Sequence, residues 1–233
     1  GRARCRTRGR DRRARRMKLA LLACGACLAI ATVPAIAMDG DSRAQPDAAD
    51  AEPTWEFTVT AYPTVVRGGE NFTSAIAAAD RGALHLEARS NYESVGTRSF
   101  YAGWKFSGGD TLSWEITPIL GVARGNLHAT VPGVEWSLAW KNFDFYSESQ
   151  YVRDRSAARE DSYIYSWNEL GFSAAEWLRL GLAVQRTRAY GGDRDIQRGP
   201  FLQLTDGRVT LGGYWFNPGS SEQVFVGSIG VAF

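Results

Sequence analysis

From Trp55 to Phe233 apolar and polar residues alternate with a period of two, and clusters of turn residues interrupt the alternation at short intervals. A period of two marks strands with one apolar and one polar face. The pattern predicts twelve strands, over 55–65, 71–79, 83–92, 97–106, 111–122, 132–141, 143–152, 162–173, 177–188, 195–204, 208–216 and 222–233. Most approach the roughly 9–11 residues that a tilted strand needs to cross a bilayer. The Ala-rich stretch 71–79 carries the weakest pattern; if it and a neighbour were loops, ten strands would remain. In 162–173 the apolar face changes near Trp167 and Asn168, as at a bulge.

The connections alternate in kind. Asp80-Arg81-Gly82, Ser107-Gly108-Gly109-Asp110, Lys141-Asn142, Ala174-Ala175-Glu176 and Asp206-Gly207 read as tight turns, and 123–131, 153–161 and 189–194 as longer, more charged loops. Short turns on one rim and longer loops on the other are expected of a membrane barrel.

Turning the apolar face outward places Trp55, Phe57, Val59, Leu86, Phe100, Ile116, Leu138, Leu182, Leu211 and Ile229 toward lipid. Trp55, Trp104, Trp114, Trp140 and Trp177 then gather near the short-turn rim, with Phe233. Tyr62, Tyr92, Tyr151, Tyr163 and Trp215 gather near the other. Two such bands are the aromatic girdles of a membrane barrel, with rings at headgroup depth.

The 233 residues carry a formal charge of +2, which hides an uneven distribution. Residues 1–16 are Arg-rich and read as leader translated from upstream of the true start. Residues 17–37 have the form of a secretory signal peptide: Met17-Lys18, an apolar core, and small residues at Ala35-Ile36-Ala37. A lipoprotein cleavage site at Leu21-Leu22-Ala23-Cys24 ranks second. Setting residues 1–37 aside removes ten of the 27 basic groups and one of the 25 acidic ones. Residues 38–233 keep 17 basic and 24 acidic groups, a net −7, which argues against nucleic acid as a partner. All three cysteines, Cys5, Cys24 and Cys27, fall in the removed part. Residues 38–53, rich in Asp and Ala, read as a flexible linker. After the signal no apolar run reaches the roughly 20 residues of a membrane helix. A membrane protein built that way must be a closed barrel, because lipid satisfies no open backbone group.

The last strand, Val224 to Phe233, places Phe225, Ile229, Val231 and the terminal Phe233 on one face. It resembles the C-terminal targeting strand of bacterial outer-membrane β-barrels, with Gly227 standing where that pattern commonly has another hydrophobic residue. The resemblance covers 55–233 and the signal peptide. It implies an all-β fold, a single antiparallel up-and-down transmembrane barrel over 54–233. It also implies the outer membrane of a Gram-negative cell, with both termini periplasmic, and partners in membrane lipid and the barrel-assembly machinery that reads the last strand. It is a resemblance of architecture, so no catalytic or ligand residue carries over. Small twelve-stranded barrels of similar length include passive channels for acidic sugars.

The inward face is polar and net acidic. Glu56, Glu87, Glu115, Glu135, Asp144 and Glu148 stand against His85, Arg89, Lys105 and Arg179. Such a set either pairs internally and fills the barrel, since buried charges need partners, or lines a water-filled pore as a selecting charge ring. About eight strands are filled by side chains and about sixteen leave a channel, so twelve lies between. The pore reading, a passive channel for small polar or cationic solutes, stands first. A plugged structural or surface-binding barrel stands second. A lipid-modifying enzyme stands third: His85 with Glu87 and Ser90 suggests a triad, but alternation puts Ser90 on the other face. No cofactor, metal or catalytic residue is expected. Asp193 and Asp195 read as a solvated acidic turn rather than a calcium site, and His128 as a loop residue.

Overall fold

The computed structural model describes residues 53–156, 162–189 and 194–233. The leader, signal peptide and most of the linker lie outside these residues. The strands are β1 Trp55–Val66, β2 Phe72–Arg81, β3 Leu84–Ser90, β4 Thr97–Trp104, β5 Phe106–Gly108, β6 Ser113–Gly125, β7 Ala129–Trp140, β8 Phe143–Asp154, β9 Tyr163–Ala175, β10 Leu178–Ala189, β11 Arg194–Asp206, β12 Val209–Phe216 and β13 Val224–Ala232. β4 and β5 are one crossing interrupted at Lys105, since both pair with β6. The strands therefore make twelve crossings. The Ala-rich β2 is among them, fully paired to β1 and β3. Among the described residues no helix is long and apolar enough to cross a membrane.

Every consecutive pair is antiparallel, and β1 closes on β13 from Thr58↔Ala232 to Val66↔Val224. Phe233 N donates to Phe57 O at 2.8 Å at this seam. Closure removes sheet edges and satisfies the backbone internally, which hydrocarbon surroundings demand. The class is thereby defined: a closed, twelve-crossing, all-β transmembrane barrel.

Alternation then decides which way each side chain points. Trp55, Trp104, Trp114, Trp140, Trp177, Trp215 and Phe233 are all exposed on the outer face or its rims. Three of the tyrosines expected in the second girdle point inward instead: Tyr62, Tyr92 and Tyr163 are buried, leaving Tyr151 and Trp215 outside. Tyr62 shares its face with buried Thr60 and Thr64, and Tyr163 shares its face with buried Tyr165 and Trp167. β9 alternates regularly through Trp167 and Asn168, so its face does not switch. The irregular register lies at Leu178/Arg179, at the turn into β10. The connection expected over 123–131 shrinks to Asn126–His128, because β6 runs to Gly125 and β7 starts at Ala129. Buried Ala123, Leu127 and Ala129 keep that stretch against the interior.

Glycine opens room where interior rings need it. Gly121 sits directly across from Tyr101, and a Cβ there would collide with the Tyr101 ring. The ring lies over the bare backbone of its cross-strand partner, a device that fixes register in curved sheets. Gly121→Val forces that ring to move, and overpacking of this kind costs about 1–3 kcal/mol. We expect a lower denaturant midpoint for the folded barrel, read by tryptophan fluorescence; an unchanged midpoint would show that the ring has free space elsewhere.

Candidate functional site: the barrel interior

The interior has two characters. Toward the long-loop rim buried Val131, Val152, Tyr165, Phe216 and Val224 mix with buried polar Glu93, Thr97, Asp154 and Gln197. Toward the short-turn rim it holds two charged clusters.

The first cluster centres on Arg89 of β3, whose side chain is wholly buried. Alternation along β3 turns His85, Glu87 and Arg89 to one face. Arg89 donates from Nη1 to Glu148 Oε1 at 2.8 Å and from Nη2 to Glu135 Oε1 at 3.0 Å, and it also pairs with Glu87. Its guanidinium lies over Tyr92 at 4.6 Å and Tyr101 at 4.2 Å from the ring centroids. Tyr92 OH donates to Glu148 Oε2 at 2.9 Å. Arginine suits this position because its planar fork serves several carboxylates at once and stacks on rings. Below it His85 Nδ1 lies 2.7 Å from Asp80 Oδ1, and Lys105 Nζ lies 3.1 Å from the same oxygen.

The second cluster centres on Arg179 of β10. Its Nη1 donates to Glu169 Oε2 at 2.7 Å and to Gln203 Oε1 at 2.9 Å, and its Nε donates to Asp144 Oδ1 at 3.0 Å. Trp167 Nε1 and Tyr214 OH both donate to Glu169 Oε1, at 3.0 and 2.9 Å. Between and above the clusters lie aromatic rings. Trp167 meets Tyr214 edge-on at 5.2 Å and Phe216 at 5.3 Å. The β3–β4 connection also dips inward: Glu93 is buried and accepts from Ser99 Oγ at 2.7 Å and from Tyr101, while Tyr163 OH donates to the Glu93 carbonyl at 2.5 Å.

The structure brings His85, Glu87, Arg89, Glu135 and Glu148 into one cluster, with Lys105 joined to it through Asp80, and Asp144 and Arg179 into the other. Glu56 lies on the inward parity of β1 but exposed at the mouth, and Glu115 is half-buried on β6. The sequence reading missed Glu93, because a loop residue gives no facing, and Glu169, because the apparent face switch in β9 hid its parity. It also missed that the inward rings Trp167, Tyr165, Tyr214 and Phe216 fill space. Their even spacing along β9 and β12 is the signal that finds them.

Among the described residues, His85, Glu87 and Glu135 offer donor atoms within 4.8 Å of one another and are the set that could hold a divalent ion. Arg89 already supplies positive charge to both carboxylates. His85 faces a carboxylate on each ring nitrogen, with Glu87 Oε1 3.4 Å from Nε2, which is not the arrangement of a Ser–His–acid triad. His128 lies exposed at the β6–β7 turn. Asp193 lies outside the described residues.

This architecture is that of the outer-membrane porins. The chain is similar to the KdgM porin in complex with disordered oligogalacturonate, with a TM-score of 0.58 and 9% identity over 76% of this chain and 99% of that one. A second structure of the KdgM porin gives a TM-score of 0.55 at 10% identity, covering 76% and 98%. The NanC porin gives 0.51 at 11% identity, again covering 76% and 98%. At these identities the likeness concerns the fold. No protein-family model matches the sequence, nor does the sequence of any curated protein.

Proposed function

We propose that the protein is a porin-like barrel of the Gram-negative outer membrane, a passive channel for small polar or cationic solutes. The observation that carries the solute class is the sign of the interior. Asp80, Glu87, Glu93, Glu135, Asp144, Glu148 and Glu169 outnumber His85, Arg89, Lys105 and Arg179. A wall of that sign attracts cations and repels anions. In this reading residues 17–37 are a signal peptide, the short turns and both ends of the barrel face the periplasm, and β13 is the strand that barrel assembly reads.

A second reading, a plugged structural or surface-binding barrel, is favoured by the burial of Val131, Val152, Tyr165 and Phe216 inside the barrel. The absence of a triad at His85 leaves the lipid-modifying reading third, and His85→Ala should abolish any such activity.

One measurement separates the first two. Purified, heat-modifiable barrel is placed in planar bilayers under a salt gradient. We expect brief, small, cation-preferring steps, with that preference reduced in Glu115→Gln and Glu135→Gln. Silence from well-folded protein under all voltages would establish the plugged barrel.

A further inference from the structure

The outer face at the long-loop rim is cationic along one arc. Arg98 of β4, Arg124 of β6, Arg153 of β8, Arg188 of β10, and Arg194 and Arg198 of β11 are all exposed, and strand alternation turns each one outward. Two pairs stand directly opposite across neighbouring strands: Arg98↔Arg124 and Arg188↔Arg194. Like charges in that position repel, with Cβ atoms roughly 5 Å apart. Among the described residues none of the six has a carboxylate within ion-pair distance. On the neighbouring Arg186, Nε is buried without a hydrogen-bond partner.

The depth of these arginines is set by the columns beneath them. On β6 the outward column runs Trp114, Ile116, Pro118, Leu120, Val122 and then Arg124. On β8 it runs from Phe143 to Arg153. Ten steps of roughly 3.3 Å at a tilt of about 40° rise roughly 25 Å, the height of the apolar band of an outer-membrane barrel. Arg124 with its partner Arg98, Arg153, and the Arg188–Arg194 pair, ten residues along β10 and β11 from Leu178 and Leu204, therefore stand where hydrocarbon gives way to headgroups, and Arg198 lies four residues deeper on β11. The rest of the rim differs: β12 and β13 carry Trp215 stacked on Phe225 at 5.5 Å. Repelling guanidiniums at headgroup depth are relieved by a multivalent anion that bridges them, and guanidinium matches phosphate geometry bidentately.

We infer that this arc is a binding site for phosphate-bearing lipid headgroups of the leaflet at the long-loop rim. The inference rests on the membrane-barrel reading and is independent of whether the barrel conducts. The test uses the refolded chain in detergent micelles, with diphosphorylated lipid A, its dephosphorylated form, or inorganic phosphate added, and bound lipid counted by native mass spectrometry. Diphosphorylated lipid A should remain bound at low molar excess, and the other two should not. The variant Arg98→Gln/Arg124→Gln/Arg153→Gln/Arg188→Gln should bind it more than tenfold more weakly, in line with the gain expected per basic residue near an anionic surface. Lys141→Gln/Arg208→Gln, on the opposite rim, should bind it like the parent. Equal retention by the quadruple variant, or equal binding of the dephosphorylated lipid, overturns the inference, and binding of free phosphate alone assigns a simple anion site instead. Boiling-dependent gel mobility shows that each variant is folded. Insertion into vesicles tests the barrel reading separately, so a barrel that inserts without lipid preference fails only this inference.

Discussion

Trp167→Ala should destabilise the barrel by about 3–5 kcal/mol and should also make it conduct more often. Trp167 has 0% of its surface exposed and donates to Glu169 of the Arg179 cluster. Removing the indole deletes its edge contacts with Tyr214 and Phe216 and the hydrogen bond to Glu169. Neighbouring rings on a hydrogen-bonded barrel wall cannot collapse far into the void, so the cost should lie at the cavity-forming end of the range. Conduction follows from size. A barrel of twelve strands is wider than its backbone alone can close, and large buried rings such as Trp167 take up part of that width. Denaturant unfolding in micelles gives the stability, and bilayer recording of the same preparation gives the open probability. Trp140→Ala, which faces outward, is the control. If Trp167→Ala matched the parent in both, the ring would be neither a packing element nor a plug.

Arg89→Met should cost a similar amount, about 3–5 kcal/mol, for an electrostatic reason. It leaves Glu87, Glu135 and Glu148 facing one another without their shared cation. Breaking a buried network by removing one partner is far more harmful than removing all partners together. Arg89→Met combined with Glu87→Gln, Glu135→Gln and Glu148→Gln should therefore recover much of the loss. Arg89→Lys should recover less than the size of its charge suggests, because an ammonium cannot serve three carboxylates and stack on Tyr92 and Tyr101 at once. Denaturation midpoints of the four proteins decide it. A single Arg89→Met that is no less stable than the combined variant would show that the carboxylates do not depend on Arg89.

These two residues illustrate how far the chain can be read. Arg89 was legible as an inward residue because strand alternation is local: its parity with His85 and Glu87 fixes the face. Its partners Glu135 and Glu148 were equally placed on inward faces, yet they lie 46 and 59 residues away. Nothing in a one-dimensional pattern sets which inward residues share a height in the barrel. That depends on strand tilt and stagger. The sequence pattern gives Trp167 no clear face, because the alternation in 162–173 changes beside Asn168, and only the fully paired register of β9 with β8 and β10 turns it inward.

The sequence by itself determined the all-β class, the positions of nearly all turns and the division of most residues between lipid and interior, while the pairing of the Ala-rich β2 to β1 and β3 made the crossings twelve rather than ten. The first three follow from period-two alternation and turn chemistry, which act over a few residues. Tertiary structure alone decided that the inward tyrosines and Trp167 are buried inside the barrel, that Arg89 and Arg179 gather separate carboxylate sets, and that Glu93 folds in from a loop. Those depend on the closure of β1 on β13 and on the register this imposes around the whole ring, a constraint that no local stretch of sequence carries.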